Sequence, residues 1–158
     1  MKFKNWKKAL LFIFSPLLVG YLSSFLSLNS SQYIYEQIET PAFSPPGWVF
    51  GPVWTILYLL MGLSAFLIWT KRKKANVNLA LSVYFSQLVL NFFWTLFYFG
   101  QGARFLAFLD IIFLFLLIGI NIYLFAKIHK ISAYLLIPYI LWVAFALILN
   151  YSTWVLNK

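Results

Sequence analysis

The chain has 158 residues, of which 63% are hydrophobic and 9% charged, with a formal net charge of +9. A soluble fold of this length has too little interior for so much apolar surface, so its solvent is lipid. The absence of cysteine excludes disulfides and thiolate chemistry, and the single His129 excludes a His-rich metal or bis-His haem centre within one chain.

Lys2, Lys4, Lys7 and Lys8 precede the first apolar run, 9–28. That run is long and shows no small-residue cleavage site, so it reads as a retained span and not a signal peptide. A loop, 29–46, follows. Pro41, Pro45 and Pro46 stiffen its second half by fixing φ and pushing the preceding residues toward extended geometry. The loop runs without pause into the second apolar segment, 48–69, where Pro52 is expected in the first turn. Three more runs follow at 77–99, 105–125 and 133–156. Each of the five reaches the ~20 residues that a span needs. Period-2 alternation is absent, so the spans are helices. The expected fold is an all-α polytopic membrane protein, a single domain (1–158) of five transmembrane helices. No internal repeat is visible.

The basic residues set the expected orientation. The N-terminal four, Lys71-Arg72-Lys73-Lys74, Lys127 and Lys130 all fall on one side of a five-span chain. Arg104, Lys158, Glu36 and Glu39 fall on the other. The positive-inside rule then gives a cytoplasmic N-terminus and an outside C-terminus. The net charge is membrane-surface charge, and nucleic-acid binding is not expected, since no soluble face carries the cations.

Position within a span converts to depth at about 1.5 Å per residue. Trp6, Trp48, Trp69 and Trp154 lie at span ends, where interfacial anchoring explains them. Trp54, Trp94 and Trp142 lie inside, where an indole N–H seeks a partner. One face of span three carries Gln87, Asn91, Trp94 and Tyr98. One stripe of span five carries Tyr139, Trp142, Ala146, Asn150 and Thr153, and one of span two carries Trp54, Tyr58, Met61 and Ala65. Asp110 in span four is a rare and costly intramembrane carboxylate, either neutral or bonded to Trp, Tyr or a loop amide. Turning these faces inward gives an aromatic pocket roofed by residues 35–46. The competing reading is that the polar groups bond helix to helix, and for Gln87 this reading is favoured. Pro138 is expected to kink span five and free the carbonyl of Tyr134, the alternative being a tolerated membrane proline. Gly20 and Ser24 in span one form a small-xxx-small pattern that suits a close helix contact or an oligomer face.

The run Tyr35-Glu-Gln-Ile-Glu-Thr-Pro-Ala-Phe-Ser-Pro-Pro-Gly-Trp-Val-Phe-Gly-Pro-Val-Trp54-Thr-Ile-Leu-Tyr resembles the translocator protein family, also called tryptophan-rich sensory proteins or peripheral-type benzodiazepine receptors. Gln87-Leu-Val-Leu-Asn91-Phe-Phe-Trp94, Ala107-Phe-Leu-Asp110 and Pro138-Tyr-Ile-Leu-Trp142-Val-Ala-Phe-Ala extend the likeness over nearly the whole chain. The resemblance implies a five-helix bundle, commonly a homodimer, that binds tetrapyrroles such as protoporphyrin IX, sterol-like molecules and synthetic isoquinoline ligands. It implies lid roles for Tyr35 and Pro45. It implies pocket roles for Trp54, Tyr58, Asn91, Trp94, Trp142 and Ala146, with Asp110 nearby. The tryptophans matching Trp54 and Trp142 are linked in that family to light-dependent porphyrin breakdown. This chain departs from the pattern at Thr40 and Phe43, where the family often has Lys and Trp. Lys158 also lies one residue too far from Tyr151 for the sterol motif, which weighs against sterol binding.

Three functions follow as expectations. The first is a membrane receptor or transporter for a tetrapyrrole, gated by the first loop. The second is photo-oxidative porphyrin degradation using Trp54 and Trp142 and the ligand's own photochemistry, since no conventional nucleophile–base pair is present and no resident cofactor is expected. The third is a regulatory membrane interaction protein. No ring of charge suggests a channel, and no phosphate loop suggests a nucleotide-driven pump. A bacterial cell membrane is the expected location.

Overall fold

In hydrocarbon every backbone N–H and C=O must be paired within the chain, and long apolar runs achieve this as helices. The computed structural model describes residues 5–36 and 38–158, with only the backbone described for 29–36. Its helices are α1 (Trp6–Glu36), α2 (Gly47–Thr70), α3 (Asn78–Thr95), α4 (Arg104–Ile128), α5 (Lys130–Leu135) and α6 (Ile137–Leu156). A π-helical turn, Leu96–Gly100, extends α3. Five segments are long and apolar enough to cross a bilayer: Trp6–Leu28, Gly47–Thr70, Asn78–Gly100, Arg104–Ile128 and Lys130–Leu156. The chain is therefore an all-α, multi-pass membrane protein.

The packing closes into a ring. α1 packs on α2 on one side and on α3 with its π-turn on the other, α2 packs on α5 and α6, and α4 packs on α3, α5 and α6. Span by span, the order round the ring is one, two, five, four, three. Large apolar side chains fill the centre: Met61, Ile68, Tyr84, Leu114, Ile118, Phe125 and Tyr139 are all fully buried. Phe93, Phe113, Leu116 and Leu141 are among the many that face outward, as a lipid solvent permits.

The α1–α2 contact depends on small residues. A Cβ at Gly62 would stand 2.6 Å from the Ile13 Cα and 2.6 Å from the Phe12 carbonyl oxygen. A Cβ at Gly20 would overlap the Tyr58 ring. Ser23 and Ser27 lie buried on the same stripe of α1 and turn their hydroxyls onto their own helix, at Gly20 O (3.0 Å) and Ser23 O (2.8 Å). The two small residues of the span-one pattern part company: Gly20 packs on Tyr58 inside the chain, whereas Ser24 is exposed and faces a cavity.

Several expectations need correction. The loop expected over 29–46 is shorter, because the α1 backbone stays helical to Glu36. Residues 29–36 hold no Gly or Pro to stop it. The side chain of Tyr35 lies outside the described residues. Pro52 sits beyond the first turn of α2, which begins at Gly47. Span five is broken near Pro138, but the Tyr134 carbonyl expected to be freed accepts a cap N–H at the end of α5. The break is an interruption at Leu136, between α5 and α6, with Pro138 in the first turn of α6, where its missing N–H costs little. The π-turn had no signal in the sequence.

The described part of the first loop, 38–46, leans on span five. The Asn157 Oδ1 accepts from the Glu39 N–H at 2.9 Å, and the Asn157 Nδ2 donates to the Glu39 carbonyl at 2.9 Å and to the Thr153 carbonyl at 2.7 Å. Phe43 meets Phe145 edge-on at 6.4 Å. One side chain near the C-terminus therefore holds the loop by both of its backbone polar groups at Glu39. Asn157→Ala is expected to speed amide exchange at Glu39 roughly tenfold, the worth of one to two net hydrogen bonds, as read by hydrogen–deuterium exchange. Unchanged exchange there would show that the clasp does not hold the loop in solution.

Candidate functional site

A cavity of about 550 Å³ lies between α1, α2 and the Trp94–Phe99 end of span three. α2 contributes Phe50, Gly51, Trp54, Thr55 and Tyr58, spaced so that one helical face lines it. α1 contributes Leu17, Gly20, Tyr21, Ser24, Ser27 and Leu28 at the same 3–4 residue spacing. Trp94, Thr95 and Phe99 close the back. The missing side chain at Gly20 is what lets the Tyr58 ring lie against α1 at the cavity wall. Tyr21 at the mouth is 67% exposed, so the cavity opens through the bundle wall at α1.

The walls are aromatic and mutually braced. The Trp54 and Trp94 ring centroids are 5.9 Å apart. Trp54 also packs on Tyr58 at 5.4 Å and edge-on to Tyr139 at 6.2 Å. Trp94 stacks on Tyr98 at 5.6 Å with planes 18° apart, and meets Phe99 edge-on at 5.8 Å. The π-turn carries both Tyr98 and Phe99, so this local widening of the helix supplies the rings that flank Trp94.

Polar chemistry lies behind the rings. The Tyr58 hydroxyl donates to Asn91 Oδ1 at 2.5 Å, and Asn91 Nδ2 donates to the Tyr139 hydroxyl at 3.3 Å. This chain ties α2, α3 and α6 together. Deeper in the bundle, Gln87 Nε2 donates to Asn121 Oδ1 at 3.1 Å, and Asn121 Nδ2 donates to the Ala80 carbonyl at 2.9 Å. Gln87 therefore bonds helix to helix. Asn91→Leu would strand two buried phenol hydroxyls, at a cost of roughly 1–3 kcal/mol each. Thermal melting in detergent checks this, and adding Tyr58→Phe is expected to recover part of the loss because one stranded group is removed.

Of the residues singled out from the sequence, Trp54, Tyr58 and Trp94 line the cavity together. Asn91 is fully buried behind Tyr58 and not on the wall. Ala146 and Asp110 are buried in α6 and α4 and do not line the cavity, and Asp110 Oδ2 has no hydrogen-bond partner among the described residues. Pro45 is half-buried in the loop and does not line it either. Trp142 sits behind Phe50, edge-on at 5.9 Å, and borders a separate shallow groove between α2 and α6 with Val53, Pro138 and Phe145. The inner tryptophans thus divide: two face the cavity, and the third is screened from it by a phenylalanine. Helical stripes state which residues share a face but not which neighbour that face meets, so the sequence grouped Trp142 with the others. The wall contributed by span one was missed. Its one signal was the Gly20 and Ser24 pair, which had suggested a close helix contact or an oligomer face.

Among the described residues no three His, Cys, Asp or Glu side chains gather as a metal site. Among the described residues that line the cavity there is no nucleophile–base pair. The cavity offers stacking surfaces for a flat π-system, with the hydroxyls of Ser24, Ser27 and Thr55 as polar groups.

The profile described as the TspO/MBR family matches residues 12–155. The chain belongs to the TspO/MBR family. The tryptophan-rich protein TspO of Archaeoglobus fulgidus is 35% identical over 153 residues, covering 97% of this chain and 99% of that protein. The tryptophan-rich protein TspO of Chlorobaculum tepidum is 35% identical over 142 residues, covering 89% and 90%. The translocator protein of Sus scrofa is 33% identical over 153 residues, covering 94% and 89%. Archaeal, bacterial and mammalian TspO/MBR proteins therefore align with this chain across nearly all five spans.

Proposed function

We propose that this TspO/MBR protein is a membrane receptor or transporter that binds a tetrapyrrole such as protoporphyrin IX in the cavity between spans one, two and three. The observation that carries the reading is the braced pair of indoles, Trp54 and Trp94, on the wall of a cavity of about 550 Å³. That volume falls within the range of ~300–1,000 Å³ typical of small-molecule sites. A flat macrocycle stacks on the indoles, and its polar edge meets the Ser24 and Thr55 hydroxyls. Synthetic isoquinolines, also flat and apolar, suit the same walls, whereas the sequence weighs against a sterol. Access runs sideways past Tyr21 from the lipid, and the first loop braces the outer end of the bundle. The protein works as a homodimer in a bacterial cell membrane, with a cytoplasmic N-terminus and the loop end outside. The name translocator protein, borne by the pig relative, agrees with a transport role.

Titration with protoporphyrin IX is expected to quench intrinsic tryptophan fluorescence saturably. Ser24→Trp, which fills the cavity from an exposed position on α1, is expected to abolish saturable binding of protoporphyrin IX, measured by porphyrin absorbance to exclude the added indole. Equal binding by this variant would overturn the assignment of the cavity.

A second reading, light-dependent porphyrin breakdown, draws on the ladder Trp54–Trp94–Tyr98, with successive centroids 5.9 and 5.6 Å apart. It favours Trp54 over Trp142 as the residue that acts on bound porphyrin, since only Trp54 lines the cavity. Illuminated wild type forming a product that Trp54→Phe does not form would support it, and equal bleaching with and without protein would remove it.

A further inference from the structure

At the end of the bundle opposite the first loop, α2 and α3 are joined by a turn bearing Lys71, Arg72, Lys73 and Lys74 in succession. The Lys71 carbonyl accepts from both the Lys74 and Ala75 N–H groups, at 2.8 and 3.0 Å, so the run is folded tightly. Asn76 Oδ1 accepts from the Asn78 N–H at 3.1 Å and shapes the start of α3. The result is a shallow concavity of about 450 Å³ lined by Arg72, Lys73, Lys74, Asn76 and Asn78.

Its cations differ in kind. The Arg72 guanidinium lies 3.4 Å from the centroid of the Trp69 ring, and its Nη1 donates to the Trp69 carbonyl at 3.0 Å. It is a fixed charge, already ordered before any ligand arrives. Lys73 and Lys74 are exposed and make no ion pair among the described residues. The chain has three acids, Glu36, Glu39 and Asp110, and among the described residues no carboxylate side chain offsets this cluster. Trp69 ends its span and marks the level of the membrane–water boundary. The concavity therefore sits at headgroup depth, lined by one fixed guanidinium, two exposed lysines and two asparagines.

We infer that this concavity binds the phosphate of an anionic phospholipid headgroup, as a defined site and not merely as part of a diffuse positive surface. Phosphodiester oxygens match the guanidinium fork, and the lysines add point charge. The bilayer delivers such a phosphate at the depth where these groups lie.

Native mass spectrometry of the purified chain with mixed phosphatidylglycerol and phosphatidylcholine tests this. Wild type is expected to retain phosphatidylglycerol selectively. Lys73→Gln/Lys74→Gln is expected to lower that affinity about 25-fold, from roughly a fivefold factor per lysine. It leaves Lys71, Arg72 and the N-terminal lysines to keep the insertion topology. Lys127→Gln/Lys130→Gln removes equal charge from the same end but outside the concavity, and is expected to keep near-wild-type retention. Equal loss in the two double variants would overturn the defined site in favour of diffuse attraction. Absence of selectivity in wild type would also overturn it. So would displacement of the lipid by millimolar inorganic phosphate, which would make free phosphate the ligand. Phosphatidylglycerol raising the melting temperature of wild type but not of Lys73→Gln/Lys74→Gln would support it by a second route.

Discussion

Gly62→Ala is expected to destabilise the protein by about 3 kcal/mol, the upper part of the range for overpacking a dense interior. The added Cβ meets main-chain atoms of α1 at 2.6 Å, and main chain has no rotamer into which to retreat. α1 must move away from α2 as a body. In lipid, close backbone approach supplies much of the association between helices, so the lost contact is not replaced by a hydrophobic drive. Gly62→Leu is expected to yield no stably folded material. Gly51→Ala is the control, because a Cβ there has nothing within 4 Å, and replacing a helical Gly by Ala is expected to be neutral or to stabilise by up to about 1 kcal/mol. Melting in detergent, with unfolding in sodium dodecyl sulfate as a second measure, separates the two. Equal stability of Gly62→Ala and Gly51→Ala would mean that the α1–α2 contact is looser than described.

The second large effect concerns binding. Trp54→Ala is expected to weaken protoporphyrin IX binding by about 2–4 kcal/mol, the scale of a central aromatic anchor, or roughly 30- to 1,000-fold. Trp142→Ala is expected to change affinity less than about threefold, because Phe50 stands between Trp142 and the cavity. The asymmetry is the discriminating result. The truncation also loosens Tyr58, Trp94 and Tyr139, which Trp54 touches, so affinity is compared at temperatures where both variants remain folded. Equal losses at Trp54 and Trp142 would place the ligand between spans two and five, not under span one.

Particular residues show how far the sequence reads. Gln87 was legible as a bond between helices, since an amide in hydrocarbon has few other uses. Pro138 was legible as a break, since it cannot donate its backbone bond. Trp54, Tyr58 and Trp94 were legible as candidates for one wall, by depth and face. Trp142 was grouped with them by its stripe on span five, but that stripe meets a different neighbour there, and a helical stripe does not encode azimuth. The clasp of Asn157 on Glu39 joins residues 118 positions apart, and neither carries a local signal. The π-turn was silent because its i→i+5 pattern depends on what the segment packs against.

The number of spans, their helical form and the one-sided distribution of basic charge were determined by the sequence alone. Lipid enforces backbone pairing segment by segment, and that constraint is written in run length and composition. The ring order, the hollow beneath Tyr21 and the separation of Trp54 from Trp142 were decided only by the tertiary structure. Each depends on how one helix is rotated and pressed against another, and that rotation is set by side-chain fit, such as Gly62 on Ile13 or Gly20 on Tyr58, which exists only once both surfaces are in place.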